Sequence, residues 1–138
     1  MEPYIRKVKF SDLFKKEIYD HIRFYRKISF IFFVVSLTPL RAFAPFKYIP
    51  YVLIDGDKII GKAYLIKSGK RAELTIGLDK SYRSKGFGAK LMKRLLSENK
   101  DKMEIFLRVH KDNKAAREFF KKHKFKKEYD EMVLGKGK

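Results

Sequence analysis

The apolar and polar positions divide the chain into stretches of two periods. "YIRKVKF" (4–10) reads as a first strand. Ser11 is placed to cap a helix in which Leu13, Phe14, Ile18, Ile22 and Tyr25 recur at helical spacing. A second, apolar helix is expected from Ile28 and ends by Pro39. Residues 39–50 carry three of the four prolines and read as a loop. In "YVLIDGDKIIGKAYLI" (51–66), Asp55-Gly56 separates two β-rich runs, which is a hairpin signature. "KSGK" (67–70) makes the next turn, and "RAELTIGL" (71–78) returns as the third strand of a meander. After residues 81–88 a helix is expected to face Gly88, Leu91, Met92, Leu95 and Leu96 inward and Lys90, Lys93 and Arg94 outward. "EIFLRV" (104–109) is a further strand. Asp112 or Asn113 caps a helix with Ala116, Phe119 and Phe120 on its apolar side. "FKKEYDEMVLG" (125–135) closes with one strand or two short ones. The order β-α-α-β-β-β-α-β-α-β is that of a layered α/β fold.

Composition narrows the class. A chain of 138 residues, 45% hydrophobic and 15% aromatic, is expected to be one globular domain. With no cysteine it holds neither disulfides nor Cys-based zinc sites, and a cytoplasmic location is expected. Gln and Trp are absent and Asn occurs twice, while Lys and Glu are abundant; this depletion of heat-labile residues points to a thermophilic source. The run "ISFIFFVVSLTPL" (28–40) is shorter than the roughly 20 residues needed to cross a bilayer. It reads as a buried helix or one that packs on a partner chain, so residues 28–46 are a candidate homodimer surface. The net charge of +18 favours anionic partners: nucleic acid, phosphorylated cofactors or acidic surfaces. Lys-rich surfaces also serve solubility and heat tolerance alone.

The chemistry concentrates at "SYRSKGFGAKLMKRLL" (81–96). A helix starting near Phe87 presents unpaired N–H groups and its positive dipole end there. Gly86 and Gly88 let a ligand approach the backbone, and Arg83 and Lys85 add charge at the rim. Such an end suits phosphate, yet the spacing is neither the mononucleotide P-loop nor the dinucleotide fingerprint. The alternative reading is a solvated turn.

"RSKGFG" (83–88) matches [QR]-x-x-G-x-[GA], the signature of the GNAT superfamily of acyl-CoA-dependent N-acyltransferases, which this chain resembles. "AELTIGLDKSYRSKGFGAKLM" (72–92) resembles the family's whole strand-loop-helix unit. "VHKDNKAAREFFKKHKF" (109–125) resembles its next strand and helix through Val109, Asn113, Ala116 and Phe125. The likeness covers residues 51–125; the first fifty agree in strand-helix-helix order. Two positions depart: a frequent family Tyr, a candidate general acid, is Phe120, and the Gly before the last Phe is Lys124.

The resemblance implies a single GNAT-like domain with a mixed central sheet, acetyl-CoA as donor, no metal, and a primary amine that attacks the thioester directly. It implies that Arg83, Ser84, Lys85, Gly86, Phe87, Gly88 and Ala89 hold the pyrophosphate of CoA. Backbone groups of Ile76 and Leu78 would bond the pantetheine arm, with an N–H near Leu78 polarising the thioester. Asn113, Phe119 and Phe120 would flank the arm, and residues 24–50 would shape the acceptor groove. Glu73 is the candidate base, on one strand face with Thr75 and Gly77 unless a bulge shifts it; the other reading is an ordinary strand residue. His110 is a second candidate for proton transfer, and it also reads as a loop histidine at the end of the strand. Tyr82 and Tyr129 could donate protons or simply pack. Glu17, Asp20 and Asp55 could attract a cationic acceptor locally. Two rival classes stand beside this enzyme. "REFFKKHKFKKEY" (117–129) interleaves aromatics and cations as single-strand nucleic-acid binders do, although its phenylalanines also fall at core spacing. A weakly catalytic acyl-CoA-binding protein would equally carry Phe120.

Overall fold

The computed structural model describes residues 2–9, 11–12, 15, 39 and 46–128. The two helices expected between Ser11 and Pro39, the candidate dimer segment up to residue 45, and the closing strand from Tyr129 on lie outside these residues. Two compact units divide after Leu107.

The first unit holds β1 (Tyr4–Lys7), β2 (Phe46–Asp55), β3 (Lys58–Ser68), β4 (Arg71–Leu78), a 3-10 turn (Lys80–Tyr82), α1 (Phe87–Ser97) and β5 (Glu104–Phe106). The sheet runs β1-β2-β3-β4-β5. Its first four strands pair antiparallel, and β5 joins β4 parallel after the crossover through α1. The chain is thus α/β with a mixed sheet. Two tight turns make the meander, with Gly56 at φ 59° and Gly69 at φ 60°.

The loop expected over 39–50 is corrected at its end, because β2 begins at Phe46 and runs through Pro50. Pro50 sits opposite Tyr64 on β3, but its carbonyl accepts from Val8 N–H at 3.2 Å, on the β1 side. The missing N–H of Pro50 therefore points past the end of β1, and the β2–β3 ladder loses no bond. β5 is also shorter than expected: it stops at Phe106 rather than at Val109.

Alternation assigns the two faces. Tyr51, Ala63 and Ile76 are cross-strand neighbours, and so are Ile49, Leu65 and Leu74. Leu91, Met92 and Leu95 of α1 are buried. Each such side chain stabilises the fold by roughly 1.5–3 kcal/mol. Leu96 was expected inside but is 41% exposed, because it lies one further 100° step from Leu95, at the edge of the stripe. Gly61 stands where a Cβ would meet Leu78 Cδ2 at 2.5 Å and the Gly77 carbonyl at 3.1 Å, so this glycine makes room for Leu78.

The far end of α1 is tied to the sheet. Tyr51, fully buried, donates its hydroxyl to Glu98 Oε1, and the Arg94 guanidinium lies 5.2 Å from its ring centroid. Burial pushes the Tyr51 phenol above its usual range, and the bond to Glu98 adds to this; the same bond holds Glu98 below its own. Lys67 Nζ donates to the Glu98 carbonyl at 2.8 Å and to Asp101 Oδ1 at 2.5 Å, neutralising the negative end of the helix. At the start of the chain Arg6 grips the buried Asp12 through two bonds of 2.6 and 2.8 Å, and Lys9 N–H donates to it at 2.7 Å. Burial raises the Asp12 pKa, but those bonds outweigh it and hold the carboxyl below its usual range.

The second unit is described from Arg108 to Glu128 and contains α2 (Lys114–Lys122). Asn113 is its cap, with Oδ1 accepting from Ala116 N–H at 3.1 Å. The helix ends in a Schellman motif: Phe125 N–H bonds the Phe120 carbonyl and Lys124 N–H the Lys121 carbonyl, both at 3.0 Å. Lys124 takes the left-handed φ of 70° that the motif requires. The Phe120 and Phe125 rings close it edge to face at 5.6 Å. Residues 125–128, expected to open a strand, form none.

Candidate functional site

The ladder from β3 decides which backbone groups of β4 face outward. Asp79 N–H bonds the Ile60 carbonyl at 2.9 Å, in register with Gly61↔Leu78 and Lys62↔Gly77. In an antiparallel pair the bonded positions alternate, so Asp79, Gly77, Thr75 and Glu73 direct their N–H and C=O to β3. Ala72, Leu74, Ile76 and Leu78 direct theirs to the opposite edge. β5 pairs with β4 only over Arg71–Glu73. From Leu74 onward that edge has no strand beside it among the described residues of this unit. The register of β3 with β4 is unbroken, and the shift in the sheet falls at Leu53/Ile54 instead. Glu73, Thr75 and Gly77 therefore share the face turned away from α1.

The edge leads into the glycine loop. Asp79 ends the strand, the 3-10 turn follows, and Arg83 Nε donates to the Leu78 carbonyl at 3.1 Å. Ser84 at φ 60° and Gly86 at φ 87° then turn the chain with two left-handed residues. Gly86 is the N-cap of α1, and open space surrounds the position its Cβ would take. The first helical bond runs from Lys90 N–H to the Gly86 carbonyl at 3.2 Å, so the N–H groups of Phe87, Gly88 and Ala89 have no acceptor within the helix. The first turn carries no acidic side chain. Residues 83–86 are exposed, and 87–89 half-buried. Cations ring the mouth: Lys85 Nζ lies 5.7 Å from the Tyr82 ring centroid and Lys90 Nζ 5.5 Å from that of Phe87. The arrangement suits an anion at the helix end and an extended polar chain along the β4 edge.

The structure thus brings Ile76, Leu78 and residues 83–89 together in one unit. Glu73 is half-buried on β4, opposite Ile66 and beside Phe106. Arg71 lies 4.2 Å from the Phe106 ring centroid and donates to Glu104 Oε1 at 2.9 Å. Asn113, Phe119 and Phe120 belong to the second unit, where Phe119 packs against Phe120 at 5.1 Å and His123 at 4.5 Å. His110 is exposed in that unit and bound locally, Asp112 N–H donating to its Nδ1 at 3.2 Å. Tyr82 is engaged as a donor, its hydroxyl reaching Asp55 Oδ2 at 2.6 Å. That link from loop to hairpin tip was missed in the sequence; the Asp55-Gly56 turn fixes where Asp55 stands, but nothing in the spacing pairs it with a tyrosine 27 positions on. Among the described residues no cluster of metal-ligating side chains occurs, and no helix is long and apolar enough to cross a membrane.

No curated protein matches the sequence. Solved structures match closely in shape at low identity. Glucosamine-6-phosphate N-acetyltransferase of Arabidopsis thaliana is 18% identical over 98% of this chain and 99% of its own, with a TM-score of 0.65. PaiA N-acetyltransferase of Thermoplasma acidophilum, solved in complex with coenzyme A, is 19% identical over 89% of each chain, with a TM-score of 0.66. The ribosomal-protein-S18-alanine N-acetyltransferase of Escherichia coli is 20% identical over 88% of this chain and 76% of its own, with a TM-score of 0.64. At such identities these likenesses speak for the fold. The sequence itself is matched by the family model for the acetyltransferase (GNAT) family over residues 14–125, most of its length, and the chain belongs to that family.

Proposed function

We propose that the protein transfers an acetyl group from acetyl-CoA to a primary amine by direct attack. The observation that carries this reading is the continuity of the β4 edge beyond Glu73, unpaired among the described residues of its unit, with the N-terminus of α1. The outward N–H and C=O groups of β4 suit the amides of a pantetheine arm, and the N–H groups of Phe87, Gly88 and Ala89 suit a pyrophosphate. Gly86 leaves the space such a group needs. Arg83, Ser84, Lys85 and Gly86 complete the cradle, with Arg83 already turned to Leu78. Asn113, Phe119 and Phe120 are assigned to the flank of the arm on the family's pattern alone.

The order of these groups along β4 refines the assignment. An arm held by its phosphates at Gly86 passes Leu78 first and Ile76 next. Ile76 is three residues from Glu73, roughly 10 Å along the strand, whereas Leu78 is roughly 17 Å away. We therefore assign the N–H of Ile76, rather than that of Leu78, to the thioester carbonyl, as the nearer of the two to Glu73.

Acetyl-CoA supplies an activated acyl carbon. Glu73 takes a proton from the acceptor ammonium, and the freed amine nitrogen bonds to that carbon. The carbon–sulfur bond breaks, and the thiolate leaves with its electron pair. Phe120 has no proton to give, so the thiolate is protonated by solvent or by the proton that the attacking nitrogen sheds as it becomes the amide. The solved relatives are named for different acceptors, a sugar phosphate and a protein alanine, so the assignment here is to primary amines as a class.

Gly86→Glu tests the cradle. It places bulk and negative charge in open space and should abolish acetyl-CoA binding by calorimetry. Retained affinity refutes the assignment. Wild-type protein should melt higher with acetyl-CoA. Unchanged melting at millimolar acetyl-CoA with salt-sensitive oligonucleotide binding would favour a nucleic-acid module. Binding without CoA release on a broad amine panel would favour a non-catalytic acyl-CoA binder.

A further inference from the structure

The glycine loop is exposed, and one of its two left-handed residues is Ser84, a conformation that costs a non-glycine residue about 1 kcal/mol. Burial does not hold such a loop, so its shape depends on tethers. Within the segment, Tyr82 N–H bonds the Asp79 carbonyl and Arg83 N–H that of Lys80. A tether from outside comes from the β2–β3 hairpin tip, where Asp55 Oδ2 accepts from the Tyr82 hydroxyl at 2.6 Å. Lys58, also at the tip, reaches Asp79 Oδ2 at 3.7 Å. The Tyr82 ring lies 6.2 Å from that of Phe87, the first residue of α1.

The charges at the tip create a conflict. Asp55 and Asp79 put two carboxylates behind a loop proposed to hold an anion. Each is covered, Asp79 by Lys58 and Asp55 by Tyr82. We infer that Tyr82 is a positioning residue that sets donor affinity in two ways, by fixing the 3-10 turn to the hairpin tip and by masking the Asp55 carboxylate from the bound phosphates. This rests on the acetyl-CoA reading above. Hydrogen bonding to Asp55 raises the Tyr82 phenol above its usual range, so the hydroxyl keeps its donor proton throughout the neutral and mildly alkaline range.

The two effects separate in a mutant cycle read by calorimetry with coenzyme A. Tyr82→Phe loses the tether and uncovers the charge, and should raise Kd about tenfold. Asp55→Asn keeps an oxygen for the hydroxyl and removes the charge, and should bind within about twofold of wild type. The double variant should recover part of the loss seen in Tyr82→Phe. kcat at saturating donor should stay at the wild-type value in all three, with the change confined to KM for acetyl-CoA. A merely structural bond would lower the melting temperature of Tyr82→Phe and leave Kd unchanged, and that result overturns the inference. A double variant as weak as Tyr82→Phe overturns the masking role. Wild-type protein that fails to bind coenzyme A at millimolar concentration defeats the acetyl-CoA reading itself, a result distinct from equal binding by all four proteins.

Discussion

Glu73 occupies a half-buried place on β4 that an unbroken register assigns to the face away from α1. Its proposed work is to take the proton that keeps an alkylammonium from attacking. Glu73→Gln should therefore lower kcat roughly a hundredfold at neutral pH, with donor affinity nearly intact. The deficit should narrow as pH approaches the amine's own pKa, where free amine needs no base. A variant whose pH–rate profile overlays that of wild type removes Glu73 from the mechanism. Phe120 bears on the other proton. Its ring closes the Schellman motif against Phe125, a packing task that a phenylalanine performs as well as a tyrosine. The sequence showed that a hydroxyl was missing at this position; the structure shows what the ring does in its place.

Elements explain which expectations held. The meander was legible because Asp55-Gly56 and Gly69 fix two turns, and the strands between them follow. α1 was legible from its stripe, apart from Leu96 at the margin. Pro50 hid the first half of β2, since a strand proline is tolerated only where a neighbour has ended, and the end of β1 is a tertiary fact. The extent of β5 was hidden for a similar reason: "EIFLRV" is β-rich throughout, but its pairing stops at Phe106. Residues 83–88 were legible as a glycine loop leading into a helix, while a tether that holds them, from Asp55 to Tyr82, comes from a chain segment far away in sequence. Lys124 gives an element-scale test. The left-handed end of α2 is borne by a lysine, so Lys124→Gly should stabilise the second unit by about 0.5–1 kcal/mol. A denaturant midpoint that falls would contradict this.

At the scale of the molecule the excess of 34 Lys and Arg over 16 Asp and Glu gives a net charge of +18, which favours the approach of an anionic donor. Coenzyme A should accordingly associate roughly tenfold more slowly at 0.5 M salt than at 20 mM, with dissociation nearly unchanged, as read by stopped-flow fluorescence. An association rate independent of salt would assign the charge to solubility alone. The part of the β4 edge that has no strand beside it among the described residues of its unit has a consequence of another kind. Exposed edges invite strands from other molecules and seed aggregation. This one offers three outward residues, Leu74, Ile76 and Leu78, between two stops: the short ladder to β5 at one end, and at the other the Arg83 guanidinium that has already claimed the Leu78 carbonyl. The stretch between the stops is five positions, the length of a typical strand, so what limits pairing there is the Leu78 carbonyl already held by Arg83. A strand arriving at this stretch would find one of its outward carbonyls already taken, which weakens the edge as a point of polymerisation.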